Sequence, residues 1–389
     1  MTRRVRFSSL CVGLLGSIAL ASAPSRLGDV SFAYHVIATP DYPSSVFAAD
    51  LDGDGDADVL STFLYGSKVA WYENDGIGNF TTHTIAGALA RGKSVFAADL
   101  DGDGDTDVLT ASSNDDTIAW YENDGSENFS THTITSAADF AVSVLAADVD
   151  GDGDADVVSA SRLDDKIAWY ENDGSGNFTT HTVTTSADGA VSVFVADVDG
   201  DGDADLLSAS VDDDKIAWYE NDGGGEFRPH TITTATNGAS SVLAADVDGD
   251  GDIDVVSASF YDGIAWYEND GSENFTTHTV ANYNYVWSLV AADVNGDGET
   301  DLISPNTFGM FWFENDGSGN FTAHSITARN HYVDVFAANV DGDGDLDVLA
   351  AYSYGAYYGV ISWYENLTPP LFADGFESGD TSAWSSSAP

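Results

Sequence analysis

The sequence predicts an all-β fold, a seven-bladed β-propeller whose N-terminal strand completes the last blade, and three observations carry that prediction. A nine-residue acidic block recurs seven times, a tryptophan-centred segment follows each copy, and an orphan segment stands ahead of the first copy where the last copy lacks one. The first block, Asp50-Leu51-Asp52-Gly53-Asp54-Gly55-Asp56-Ala57-Asp58, has counterparts starting at Asp99, Asp148, Asp197, Asp246, Asp293 and Asn339, at steps of 49 residues four times and then 47 and 46. The marker Trp-Tyr-Glu-Asn falls at Trp71, Trp120, Trp169, Trp218, Trp266 and Trp363, with the variant Phe-Trp-Phe-Glu-Asn around Trp312.

Each unit divides into four strands. In the first, 45–49 is an apolar strand A, the acidic block is a loop, 59–62 is strand B and 69–72 is strand C. Asn74-Asp75-Gly76 opens a hairpin turn into strand D at 80–85. Strands A to C are nearly continuous in apolar residues and predict burial on both faces, whereas strand D alternates with polar residues and belongs outermost. Four strands per repeat of this length is the pattern of a propeller blade. The strand D marker Phe-x-x-His follows the first six units and is missing from the seventh, but a copy stands at 32–37, ahead of the first unit. Seating that segment on the last blade closes the ring without an uneven edge.

Charge narrows the function. The 389 residues carry 12 Lys and Arg against 65 Asp and Glu, a net charge of −53, which disfavours nucleic acid and anionic membrane surfaces. Hydrophobic residues at 43% supply enough apolar material for a folded core rather than an acidic disordered tail. Residues 1–23 have the pattern of an export signal: Arg3, Arg4 and Arg6, a short apolar run, then Ala21-Ser22-Ala23. An exported chain at or outside the cell surface is therefore expected, without stable membrane insertion. The single cysteine, Cys11, lies inside that segment, so a propeller over 24–368 has no disulfide. The remaining 369–389, rich in Gly, Ser and Asp, is expected to be a flexible tail with a possible sorting role.

Four or five carboxylates in nine residues repel one another unless a cation sits among them, and ligands that are all oxygen select a hard ion. Calcium is the expected occupant, up to seven ions in all. A helix-loop-helix calcium hand would need Glu at the twelfth position, which here holds Ser61, Thr110, Ser159, Ser208, Ser257, Ser304 and Ala350. The repeated block between two strands resembles the FG-GAP or VCBS repeats of bacterial secreted proteins and integrin α-subunit propellers, and is similar to that of a calcium-bearing seven-bladed fungal lectin. By chemistry and by this resemblance, side-chain oxygens at positions 1, 3, 5 and 9 and the carbonyl at position 7 hold the ion. In the first unit these are Asp50, Asp52, Asp54 and Asp58, with Asp56 through its backbone. In the next four they are Asp99, Asp101, Asp103, Asp105 and Asp107; Asp148, Asp150, Asp152, Asp154 and Asp156; Asp197, Asp199, Asp201, Asp203 and Asp205; and Asp246, Asp248, Asp250, Asp252 and Asp254. The sixth unit has Asp293, Asn295, Asp297, Glu299 and Asp301, and the seventh Asn339, Asp341, Asp343, Asp345 and Asp347. Asn keeps the oxygen and drops the charge, so the sixth and seventh sites are expected to bind more weakly.

The acidic loops and the Asn-Asp-Gly hairpins emerge at one end of every blade, and the variable connections at the other, where partners are expected. In blades two to four those connections are acidic, with Asn114-Asp115-Asp116, Asp164-Asp165 and Asp212-Asp213-Asp214. Elsewhere they are aromatic: Phe260 and Tyr261; Tyr283, Tyr285 and Trp287; His331 and Tyr332; Tyr352, Tyr354, Tyr357 and Tyr358; Tyr42 and Tyr65. These predict one continuous arc over blades five, six, seven and one, suited to sugar rings or a protein partner. Seven of the eight histidines share one strand position and are expected to pack rather than catalyse, and the Glu73-type residues are assigned to hairpin geometry. No nucleophile elbow, cysteine nucleophile or phosphate loop is visible. The function expected is a secreted, monomeric, non-catalytic calcium-binding propeller that recognises an extracellular glycan or protein. The alternatives are a carbohydrate-active hydrolase or lyase on the same scaffold, or a passive surface component.

Overall fold

In a computed structural model describing residues 30–367 apart from 66, 88 and 355–357, the chain forms twenty-eight strands, β1 to β28 in chain order, and no helix among the described residues. The segments 1–23 and 369–389, Cys11 and Tyr357 lie outside the described residues. The strands pair into seven four-stranded antiparallel sheets, the predicted seven blades. Blade one contains β2 (Pro43–Ala49), β3 (Asp58–Phe63), β4 (Val69–Asn74) and β5 (Phe80–Ala86), paired in that order. As expected from the apolar run in one and the alternation in the other, β3 is wholly buried while no residue of β5 is.

The orphan segment sits where the offset predicts. β1 (Phe32–Ala38) is the outer strand of the last blade, whose order is β1, β28 (Tyr358–Asn366), β27 (Asp347–Tyr354) and β26 (Tyr332–Ala338). It runs antiparallel to β28 with His35 opposite Trp363. The two ends of the chain are thus joined by main-chain hydrogen bonds, which leaves no additional strand edge open.

The core is divided among the blade interfaces rather than collected in one place. Seven buried apolar clusters each span two neighbouring blades, and the one joining blades seven and one gathers Val46, Val59, Tyr72, Leu349, Ile361 and Trp363. Near the axis a second set of contacts runs around the ring. A strand A serine accepts the backbone N–H of the next blade, as in Val95 to Ser45, Val144 to Ser94, Val193 to Ser143 and Val242 to Ser192, at 3.3–3.4 Å. At the closing seam the acceptor is instead Asp334, which takes Val46 N–H at 3.0 Å and the Ser288 hydroxyl at 2.8 Å. Blade six departs from the repeat: its inner strand, β22 (Val290–Ala292), has only three residues, and the chain before it carries Tyr283, Tyr285 and Trp287.

Candidate metal centres and loop face

Each acidic loop is shaped by its own carboxylates. Asp50 accepts the N–H of Gly53 at 2.8 Å and of Gly55 at 3.0 Å, Asp52 accepts Asp54 N–H, and Asp54 accepts Asp56 N–H. These bonds curl the loop so that the remaining oxygens face inward. In blades one to four, the carboxylates at positions 1, 3 and 9 have ligand atoms within 4.8 Å of one another: Asp50, Asp52, Asp58; Asp99, Asp101, Asp107; Asp148, Asp150, Asp156; and Asp197, Asp199, Asp205. In blade five the group is Asp246, Asp248 and Asp250. The Asp148 Oδ1 atom is buried without a hydrogen-bond partner, as a ligand atom aimed at a cation would be. An all-oxygen donor set with that orphaned atom fits a hard divalent ion such as calcium.

Position 9 does more than the loop motif conveys. Asp58 is fully buried, accepting Leu51 N–H at 3.0 Å through one oxygen and Asn74 N–H at 2.8 Å through the other. It ties the start of the acidic loop to the end of strand C, and the same pair of bonds recurs at Asp107, Asp156, Asp205, Asp254, Asp301 and Asp347. Burial pushes the Asp58 carboxyl up to about 7 despite the two backbone bonds, and Asp205 up to about 6. Burial, with neighbouring carboxylates adding to it, also raises Asp52, Asp101, Asp150, Asp199, Asp248 and Asp341. A divalent ion among them would oppose this.

Position 7 turns its side chain away from the loop centre. A Cβ placed on Gly76 would stand 2.3 Å from Asp56 Oδ2, so the Asp56 carboxylate lies against the strand C–D hairpin, leaving its carbonyl for the loop. The hairpins and acidic loops therefore share one face, as expected. Asp105, Asp154, Asp203, Asp252 and Glu299 lie in the same way against Gly125, Gly174, Gly223, Gly271 and Gly317. In the sixth loop the Asn295 amide nitrogen donates to Asp297 at 2.9 Å and approaches Glu314 at 3.4 Å, so an amide already partly occupies the space between carboxylates. In the seventh loop Asn339 accepts Gly342 N–H.

The repeated histidines pack, and they take the strand C glutamates with them. His83 lies 2.7 Å from Glu73 and its ring stacks on Trp71 at 4.5 Å, and the same triad recurs in every blade, including His35 with Glu365 and Trp363. The assignment of Glu73 to hairpin geometry alone is thus corrected: its carboxylate holds the histidine against the tryptophan.

At the opposite face, one residue before each strand A adopts a left-handed backbone: Tyr42, Arg91, Phe140, Gly189, Gly238, Tyr285 and His331, with φ from 54° to 74°. In blades one to five its carbonyl accepts the N–H of the residue following strand B, as in Leu64 to Tyr42, and in blade seven the His331 carbonyl accepts the N–H of Ser353, near the end of strand B. The acidic connections of blades two to four are pinned to this frame: Asp116, Asp165 and Asp214 accept the N–H of Phe140, Gly189 and Gly238, at 2.8–3.0 Å. They serve as caps between blades.

The predicted aromatic arc resolves into separate groups. Over blades five and six, Phe260 meets Trp287 at 4.5 Å and Tyr261 meets Tyr285 at 6.1 Å, with Tyr261, Tyr285 and Trp287 exposed by 56, 46 and 49%. Tyr283 is half-buried against Phe308, Phe311 and Phe313. Over blade seven, Tyr352 and exposed Tyr354 gather around His331, Tyr358 packs on Tyr352, and Arg329 lies over the Tyr34 and Tyr352 rings. In blade one, Tyr42 packs edge-on against exposed Tyr65 at 5.1 Å. Tyr332 is a correction: it is 2% exposed, its hydroxyl bonded to that of Tyr364, because the residue after each left-handed position faces the core. Gly92, Ala141, Ala190, Ala239 and Val286 are the buried equivalents, so aligning the repeats would have removed Tyr332 from the arc.

Fold and loops together define a closed ring of seven blades, each with an acidic turn, and in five of them carboxylates converge closely enough to hold a cation. The FG-GAP-like repeat profile matches residues 50–110, 99–159, 148–208, 197–257 and 246–304, and the chain belongs to that family. A comparison with curated protein sequences finds no match. Among solved structures, the chain is similar to an Agrocybe aegerita lectin described as recognising non-reducing terminal N-acetylglucosamine, at 22% identity and TM-score 0.56, over 75% of this chain and 81% of that one. It is also similar to BBS1N, solved in complex with ARL6DN, at 12% identity and TM-score 0.58, over 84% of this chain and 96% of that one. At these identities the likeness is one of fold.

Proposed function

We propose that the chain is an exported, non-catalytic propeller, held by calcium in its acidic loops, that binds a glycan outside the cell through the aromatic group over blades five and six. The observation that carries this is the set of exposed rings, Tyr261, Tyr285 and Trp287, with Phe260 packed against Trp287 and Tyr261 against Tyr285. Flat, rigid aromatic faces suit the C–H faces of sugar rings, and their bracing lowers the ordering cost of binding. The lectin among the structural neighbours supports the reading by its fold. The leader-like segment at 1–23 supports export, and the inward-facing carboxylates support calcium, more strongly in the first five loops than in the sixth and seventh. The repeated His–Glu pairs, each stacked on a tryptophan, are engaged in packing, which favours binding over catalysis.

A glycan array probed with and without calcium tests this, using the wild type and the Trp287→Ala and Tyr285→Ala variants. Calcium-dependent binding that both variants lose supports the reading. Polysaccharide turnover by the wild type, or binding unaffected by both changes, overturns it.

A further inference from the structure

Three departures from the repeat meet over blade seven. Tyr34 on β1 stands where the outer strands of blades one to three carry Thr82, Thr131 and Thr180. Tyr352 on β27 stands where blades two to five carry Ser112, Ser161, Ser210 and Ser259. Arg329, in the connection leading into β26, stands where the connections into blades three to five carry Ala137, Ser186 and Ala235. Those blades form the same four-stranded sheet with small residues, so the fold does not call for these side chains. They touch one another: the Arg329 guanidinium carbon lies 4.8 Å from the Tyr34 ring centre and 5.8 Å from that of Tyr352, and its Nη1 donates to the Tyr34 hydroxyl at 2.8 Å. Around them the His331 ring lies 4.8 Å from Tyr354, and Tyr358 lies 6.0 Å from Tyr352. Arg329, Tyr354 and Tyr358 are exposed.

The charge pattern sets this place apart on an acidic chain. The connections of blades six and seven, 282–289, 307–308, 328–331 and 355–357, contain no Asp or Glu, whereas those of blades three and four carry Asp139, Asp164, Asp165, Asp188 and the run Asp212-Asp213-Asp214. Among the described residues, Lys166, Lys215 and Arg228 each pair with a carboxylate, but Arg329 has none within 4.0 Å, Asp41 and Asp262 in the flanking connections included. The acidic loops are remote, since strand A of blade seven, seven residues or about 23 Å long, spans more than two Debye lengths of about 8 Å. Among the described residues the guanidinium donates to Tyr34 alone, so this five-donor group keeps N–H donors for a ligand while the rings hold it in place.

We propose that this cluster is a second glycan site, over blade seven, selective for a sugar that bears a carboxylate: Arg329 takes the carboxylate, and the exposed Tyr354 and Tyr358 rings take the C–H face of the sugar. A planar guanidinium matches a carboxylate through paired hydrogen bonds, and an aromatic face matches a pyranose ring. The net charge of −53 opposes a polyanion, so the ligand is a single acidic residue rather than a charged chain. The ligand class rests on the glycan reading above, but the site is distinct from the rings over blades five and six.

The test is a ligand-observed NMR titration of the full, calcium-loaded chain with methyl glucuronide, methyl glucoside and sodium acetate, at neutral pH and constant ionic strength. Wild type and Arg228→Gln, a control on the outer wall, are expected to bind the glucuronide roughly tenfold more tightly than either the glucoside or acetate, the scale of one charge-assisted pair. Arg329→Gln is expected to lose the preference for glucuronide over glucoside, and Arg329→Lys to keep part of it. Removing both rings, Tyr354→Ala with Tyr358→Ala, is expected to bring the glucuronide down to the level of acetate. Array binding by Trp287→Ala reports on blades five and six, so the two readings fail separately. Glucuronide bound no better than glucoside or acetate by wild type, or a preference that survives in folded Arg329→Gln or in the folded double tyrosine variant, would overturn the proposal.

Discussion

The Asn74 side-chain amide donates to the Val340 carbonyl at 2.7 Å, bridging the acidic loop of blade seven to the end of strand C in blade one. The same nitrogen bonds Ala57 O at 3.0 Å, and the pattern repeats around the ring from Asn123 to Leu51 through Asn366 to Val294. Each buried asparagine thus stitches one acidic loop to the next. Asn74→Ala is expected to cost about 2–3 kcal/mol, because it leaves two buried carbonyls without that donor. Urea unfolding checks this, with an unchanged m-value indicating that only stability has moved.

The buried position 9 carboxylates predict an unusual pH dependence for metal-free protein. Burial raises Asp58, Asp107, Asp156, Asp254, Asp301 and Asp347 to about 7 and Asp205 to about 6, against an ordinary unfolded value of about 3.9. Between those values the native state holds protons that the unfolded chain has released, so stability falls as pH climbs from about 4 to 7. Melts in chelator are expected to be higher at pH 5 than at pH 8. A divalent ion would bind the deprotonated loops, so the stabilising increment expected from calcium should grow over the same range. A metal-free melt that rises from pH 5 to pH 8 would count against this assignment.

The hairpins offer a stabilising change. Gly78 has φ +78°, and a Cβ there would stand 2.6 Å from Trp363 of the preceding blade. In blades two and five a glutamate, Glu127 or Glu273, holds the matching left-handed position at φ 62° and 63°. Glu127→Gly and Glu273→Gly are each expected to add about 1 kcal/mol by removing the left-handed cost of a β-carbon. Thermal denaturation of the single and double variants checks the sign and additivity.

Ring closure predicts a further effect. Asp334 replaces the serine acceptor at the seam between blades seven and one. Asp334→Leu leaves Val46 N–H and the Ser288 hydroxyl without this acceptor, and is expected to cost about 2–4 kcal/mol. Asp334→Ser, which restores the repeat, is expected to cost less. Hydrogen exchange should localise the loosening in both cases to β1, β2 and β28.

Much of the architecture was legible because it repeats. The offset of Phe-x-x-His placed β1 beside β28, and the alternation in 80–85 marked the outermost strand. What escaped depends on contacts between blades, which no single repeat contains. Asp58 looks like a ligand, yet its oxygens also bridge Leu51 and Asn74. Glu73 looks like part of a turn, yet it grips His83. Aromatic content alone puts Tyr332 among the exposed rings, whereas its phase in the repeat turns it to the core.

The most direct test of the account is the thermal melt of the purified chain at neutral pH, in calcium and in an excess of chelator. Calcium at a hundredfold excess over its dissociation constant contributes about 2.7 kcal/mol per site, so several occupied loops predict a large fall in melting temperature on chelation, reversed by calcium and not by salt of equal ionic strength. A melting temperature unchanged by chelator would contradict the claim that divalent ions in the acidic loops hold the ring together.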